Sequence, residues 1–427
     1  MSEKTKISTE SYKGVRDFYP EDFFIQNYIF EVWKKTAQSF GYLQYDASIL
    51  ESAELYKAKS GEEIVNEQTY TFVDRGDREV TLRPEMTPTV ARMVAAKERE
   101  LVLPLRWFSI PNLFRYEKPQ RGRLREHWQL NVDLFGIDSS LGDIEVINIA
   151  YQIMKNFGAK DEDFIIKIND RRLIKQLYEK FSLNEENSYK LSKLIDKKDK
   201  ISESTFMEAC TEILGDKALD FVTLLESHEK LLDYLGENAV TKELVDTIEQ
   251  LLKVGVKNIY FDPTLIRGFD YYTGVVFEVF DTDPENNRSV FGGGRYDDLM
   301  DIFGARKVPS IGFGAGDVTA RDFLEKHNLL PVFKPETKVY LCTTNNDFKK
   351  DAILLSQKMR ELGINTAVDL TDKKLGDQIK NADRNKIPYI ICIGEDEIKT
   401  GTYNLKNLSS GEEKKVKLEE ISENIVH

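Results

Sequence analysis

The sequence predicts an α+β protein: a large antiparallel sheet flanked by helices, broken by a helical insertion and followed by a separate α/β domain. Three observations carry that expectation. From Leu105 to Gly136 two apolar–polar alternating segments flank a basic loop, the pattern of a long antiparallel hairpin. From about Asn169 to Lys257 the chain is rich in Leu, Lys, Glu and Asp at helical spacing. Beyond Pro331 and Pro335, which flank a linker, strands and helices alternate with short connections, implying a mostly parallel sheet with right-handed crossovers.

The elements follow in chain order. Pro20 with Glu21 and Asp22 suits a helix's first turn. Phe24, Ile25, Tyr28, Ile29, Val32, Trp33 and Phe40 then recur at helical spacing, and Gly41 ends the helix. A strand from Tyr42 to Leu50 is expected next. Strands around QTYTFVD and REVTLRP precede a helix over 87–97. At that strand-to-helix junction Glu85 and Thr87 either cap the helix or hold a cationic ligand group such as an α-amine.

The hairpin concentrates the chemistry. Trp128, Leu130, Val132 and Leu134 fall on one face of its second strand; His127, Gln129, Asn131 and Asp133 fall on the other. That pattern predicts core below and a polar pocket above. Arg115 and Glu117 share a face of the first strand, and KPQRGR forms the loop. Guanidinium groups at this density favour a phosphate or carboxylate ligand, because their forks match planar anions. The insertion contains KLIDKKDKISE, a solvated charge run.

After the insertion, Val275 to Phe280 forms a strand, preceded by a turn that presents Arg267, Asp270, Tyr271 and Tyr272. FGGGRYDDL, from Phe291 to Leu299, has three consecutive glycines, which let a backbone approach a ligand or pack tightly beneath one. Its spacing is neither a dinucleotide fingerprint nor a Walker loop. Pro309 to Leu324 is a Gly-rich strand feeding a helix.

Composition bounds the class. A chain of 427 residues, 41% hydrophobic and 31% charged, suits a soluble protein of several domains. The N-terminus lacks an apolar signal region, and the densest apolar run, Ile387 to Ile393, has the length of a buried strand. Three dispersed cysteines and four histidines without ligand spacing predict neither disulfides nor a structural metal. A cytoplasmic protein without membrane attachment is expected. The net charge of −13 argues against non-specific nucleic-acid coating but allows a nucleic-acid partner on local basic surfaces.

FRYEKPQRGRLRE resembles motif 2 of class II aminoacyl-tRNA synthetases. RGFDYYTG with FGGGRYDDL resembles the two signature motifs of the histidyl-tRNA synthetase family, and RPEMT and the C-terminal α/β pattern fit the same family over essentially the full length. The resemblance implies a class II catalytic domain in two parts (1–168 and 258–328), a helical insertion domain (169–257) and an anticodon-binding α/β domain (334–427). It implies ATP-dependent ligation of L-histidine to the 3′-hydroxyl of tRNA(His) through a histidyl-adenylate, with Mg²⁺ on the β and γ phosphates. It also implies a homodimer, with Tyr12 to Glu51 contributing to the interface.

By matched position, Arg115 meets the α-phosphate and the substrate carboxylate, and Arg267 meets the α-phosphate from the opposite side; these two are the catalytic residues. Glu85, Thr87 and Gln129 hold the α-amine end of histidine. Asp133 and Tyr272 bond the imidazole nitrogens, and Tyr271 lines the same pocket. Glu117 and Arg123 meet the nucleotide, with His127 stacking on adenine. No metal ligand is assigned among the side chains. The chain departs from the family pattern at Thr319, where most class II enzymes have a nucleotide-clamping arginine, and at Ser48 in place of the motif 1 proline. Arg321 is two residues on and so faces elsewhere on a helix. Two other readings compete: a non-catalytic histidine-binding regulatory paralogue of histidine biosynthesis, and an RNA-binding or sensing module without chemistry. Regulatory paralogues usually lack the C-terminal domain and the signature motifs, and this chain has both.

Overall fold

The computed structural model describes residues 7–57, 68–266, 271–286 and 288–425. The chain divides into two compact units, Met1–Pro331 and Val332–His427.

The first unit is built on a nine-stranded sheet in the order β1-β5-β7-β12-β11-β10-β8-β9, with β6 paired to β7. These strands are β1 Leu43–Gln44, β5 Leu105–Ser109, β6 Asn112–Phe114, β7 Glu126–Phe135, β8 Phe164–Asp170, β9 Ile259–Phe261, β10 Val275–Asp281, β11 Ser289–Arg295 and β12 Ser310–Gly316. All neighbours run antiparallel except β1 with β5 and β8 with β9. A smaller sheet joins β2 Leu50–Ser52, β4 Glu79–Leu82 and β3 Tyr70–Val73. The expected hairpin forms from β5, β6 and β7.

One face of the large sheet is covered by two helices, Pro20–Ser39 and Ser140–Asn156. Ile29 and Trp33 from the first, and Ile147, Ala150 and Met154 from the second, share one core with Leu130, Val132 and Leu134 of β7. Period 2 on the strand and period 3.6 on the helices thus meet as the sequence predicts. The other face of β7 is left for polar groups.

The expected single strand from Tyr42 to Leu50 is instead two short strands in different sheets. Local side chains break it: Asp46 accepts from the Ala47 amide at 2.8 Å and Ser48 from the Leu50 amide at 3.2 Å. The buried Arg83 then takes the Ala47 carbonyl at 2.7 Å.

Between β8 and β9 lie six α-helices, from Arg171–Lys180 to Ala239–Lys253. Five of them start on a side-chain cap, from Asp170, Asn184, Ser202, Ser227 and Asn238, each stabilising its helix by about 1 kcal/mol. These caps explain how polar, charge-rich stretches keep defined helix starts.

The second unit has a five-stranded sheet in the order β14-β13-β15-β16-β17. Its strands β13 Val339–Thr343, β14 Thr366–Val368 and β15 Tyr389–Ile393 are parallel; β16 Thr402–Asn407 and β17 Glu413–Lys417 add an antiparallel hairpin. Helices Lys349–Glu361 and Leu375–Arg384 supply the crossovers.

Candidate active site

Four glycines make the floor of the site. Gly312 and Gly314 of β12 lie opposite Asp133 and Asn131 of β7, and on their other side opposite Gly294 and Gly292 of β11. Paired residues of antiparallel strands point the same way, so the four form a patch of sheet without side chains. A Cβ at Gly312 would come within 2.4 Å of the Val132 carbonyl and 2.7 Å of Asp133 Oδ1. At Gly314 it would meet the Gln129 carboxamide at 2.8 Å. Gly312 has no room for a methyl group, and at Gly314 one would fit only if the Gln129 carboxamide moved.

Over this floor lies a cavity of about 40 Å³. Its walls come from distant stretches of chain: Glu85 and Thr87, Arg115, Gln129 and Asn131, and Tyr271, Tyr272 and Tyr296. Of the expected site residues, Glu85, Thr87, Arg115, Gln129, Tyr271 and Tyr272 are therefore brought together.

Glu85 is buried, 3% exposed, and accepts a hydrogen bond from the Tyr271 hydroxyl at 3.2 Å. The helix after it, Thr87–Ala96, takes no side-chain cap. Met86 holds the N-cap position, so Thr87 is the first residue inside the helix rather than its cap. Arg115 donates through Nε to the Pro84 carbonyl at 2.9 Å. Its Nη1 lies 4.0 Å from Glu117, and its side chain remains 19% exposed toward the cavity. The rings of Tyr271 and Tyr272 lie 4.9 Å apart.

Asp133 is not among the residues that line the cavity; Tyr296 is, and its hydroxyl donates to Asp133 Oδ1, while Oδ2 is buried with no partner among the described residues. Burial pushes the Asp133 carboxyl up to about 7, against the opposing hydrogen bond from Tyr296. Tyr296 and Asn131 are site residues that the sequence reading did not select. Tyr296 follows Gly294 by two residues, and Asn131 sits between Gln129 and Asp133 on the polar face; those periodicities were the available signals.

The expected nucleotide residues lie farther along the same hairpin. Glu117 Oε2 is 3.5 Å from Arg123, whose side chain is mostly exposed. His127, partly open to solvent but crowded by its surroundings, is held neutral: burial first, then Arg115 and Arg16, bring its pKa down to about 3. Arg267, together with Asp270, lies outside the described residues.

The positions that depart from the motifs have local roles. Thr319 hydrogen-bonds the Val290 carbonyl at 2.6 Å and the Gly316 carbonyl at 3.1 Å. Arg321 pairs with Asp22 at 3.0 Å and Glu325 at 2.9 Å, so it does not replace a nucleotide-facing arginine. Arg295 of the glycine motif is structural, bonded to buried Asp143 at 2.9 Å and to the carbonyls of Ile137 and Ser139.

An antiparallel-rich sheet with helices on one face, and an arginine-bearing hairpin among its strands that serves a cavity on the other, is the catalytic architecture of the class II aminoacyl-tRNA synthetases. Residues 14–318 match the family described as Histidyl-tRNA synthetase, and residues 338–427 match the Anticodon binding domain family. The histidine–tRNA ligase of Leptospira biflexa is 44% identical over 412 residues, covering 95% of this chain and 94% of that protein. That of Thermoplasma volcanium is 34% identical, covering 96% and 97%. Among solved structures, histidyl-tRNA synthetase from Nostoc sp. superposes with a TM-score of 0.83 at 23% identity, covering 98% of this chain and all of that one. The chain belongs to the histidyl-tRNA synthetase family. Among the described residues no helix is long and apolar enough to cross a membrane.

Proposed function

We infer that the chain joins L-histidine to tRNA(His) in two steps, forming a histidyl-adenylate from histidine and ATP and then transferring histidine to the 3′-hydroxyl of the tRNA. Charging of tRNA with histidine follows from family membership; the assignment of steps to residues is our own reading. The observation that carries it is the convergence of Glu85, Thr87, Arg115 and Gln129 with the tyrosine cluster on one cavity over a glycine floor.

Activation expels pyrophosphate and builds negative charge on the α-phosphoryl oxygens, so fixed cations there lower the barrier most. Arg115 supplies one of them, because its Nε is anchored on Pro84 while the rest of the guanidinium is directed at the cavity. Arg267 supplies the second by resemblance. Glu85, with Thr87 and Gln129, holds the ammonium group of histidine. Tyr272 bonds the imidazole, and the Tyr296 hydroxyl, polarised by Asp133 behind it, provides the second polar contact. Such a pocket rejects amino acids unable to make those bonds by roughly 10⁴-fold. A cavity of about 40 Å³ holds only a few waters, so histidine enters by displacing them and parting the side chains above the floor.

Glu117, Arg123 and His127 would receive the nucleotide. Mg²⁺ would sit on the β and γ phosphates, held chiefly by phosphate oxygens and water. A homodimer through the Tyr12–Glu51 region is supported by exposed apolar side chains at Leu43, Ile49 and Leu50, with Phe72 and Val73 close in the same small sheet. The regulatory alternative is less supported, because the C-terminal anticodon-binding match is present and the close relatives are ligases. Histidine-dependent ATP–pyrophosphate exchange tests the reading; histidine binding without exchange would favour the regulatory one.

A further inference from the structure

A second cavity, of about 250 Å³, adjoins the first and shares Tyr272 with it. It lies where the insertion begins. Arg171, Arg172, Ile174, Lys175 and Tyr178 of the Arg171–Lys180 helix form one side, with Ser192 from the next helix and Ile266 and Thr273 from the strand connections. Its walls are fixed. The Arg171 amide donates to the Gly274 carbonyl at 3.1 Å, and the Tyr178 hydroxyl is 2.9 Å from Ser192 Oγ.

The lining has two characters. Ile174, Ile266 and the rings of Tyr178 and Tyr272 make an apolar and aromatic interior. The rim is cationic. Arg172 is committed to Asp170 at 2.6 Å and Glu243 at 2.9 Å. Lys175, one helical turn from Arg171, is exposed and makes no ion pair among the described residues.

An aromatic-walled cavity with basic groups at its mouth suits a nucleotide of single-stranded nucleic acid: base stacked inside, phosphate on the rim. The reaction brings such a strand here, because the accepting 3′-hydroxyl must reach a carboxylate held in the adjoining cavity. We propose that this second cavity receives one nucleotide of the single-stranded 3′ end of tRNA, its base against Tyr178 and its phosphate on Lys175. The proposal rests on the aminoacylation reading above.

Lys175→Glu tests it on the full chain, since an exposed lysine can be reversed without disturbing the core. The measurements are histidine-dependent ATP–pyrophosphate exchange, which needs no RNA, and aminoacylation over a range of tRNA concentrations. The variant is expected to keep exchange within twofold of wild type while its KM for tRNA rises tenfold or more. Lys230→Glu, at an exposed position elsewhere in the insertion, reverses the same charge and is expected to leave KM within twofold. Unchanged charging by Lys175→Glu would overturn the site, and so would an equal rise from Lys230→Glu, because net charge alone would then explain it. Absence of exchange in the wild type would instead overturn the aminoacylation reading.

Discussion

The hydroxyl of Tyr296, which lines the cavity, donates to Oδ1 of Asp133, which does not. The pair joins β7 to the turn after β11 across the edge of the glycine floor, and Asp133 is 2% exposed. Removing either partner strands the other in a buried setting.

Tyr296→Phe should therefore raise KM for histidine by about tenfold, the cost of leaving a buried acceptor unsatisfied being roughly 1–3 kcal/mol. KM for ATP should stay within about twofold, because His127 and Glu117 do not depend on the phenol. Steady-state pyrophosphate exchange measures both. A variant with wild-type histidine KM would separate Tyr296 from the amino-acid site.

Asp133 also predicts a pH dependence of stability. Its carboxyl is raised from 3.8 to about 7 in the folded protein, so the folded state binds a proton that the unfolded chain releases. The contribution is fully present below about pH 4 and is lost as pH rises through about 7. Denaturant unfolding of wild type and Asp133→Asn between pH 5 and 8 should show a steeper decline in wild type. Buried Asp143, also raised to about 7, is common to both proteins and cancels in the difference. Parallel curves would contradict the assignment.

Gly314→Ala should fold and fail selectively. Its methyl would press on the Gln129 carboxamide at 2.8 Å, a side chain able to move, and so should weaken histidine binding by tenfold or more. Gly312→Ala meets the Val132 backbone carbonyl at 2.4 Å instead and should lower stability by about 1–3 kcal/mol. Histidine KM and the denaturation midpoint of the two variants distinguish these effects.

Much of this was legible in the sequence because it depends on periodicity. The alternation of β7 gave the core face of Leu130, Val132 and Leu134 and the polar face of Gln129, Asn131 and Asp133 in one step. Alternation reports a face but not a depth, which is why it did not announce that Tyr296 would line the cavity and bond Asp133. The strand break near Asp46 depends on Arg83, distant in sequence, reaching the Ala47 carbonyl, and no local pattern announces it. Thr87 was ambiguous for the opposite reason: hydroxyls begin many helices, and only geometry shows that this one does not cap.

The central claim is that this cavity activates histidine with Arg115 as one of its charge-stabilising groups. Histidine-dependent ATP–pyrophosphate exchange by wild type, Arg115→Ala and Arg267→Ala addresses it most directly. Robust exchange in wild type and a fall of about 10²–10³-fold in each variant, near 3–4 kcal/mol of lost transition-state stabilisation, is the predicted result. Wild-type rates in Arg115→Ala would contradict the account.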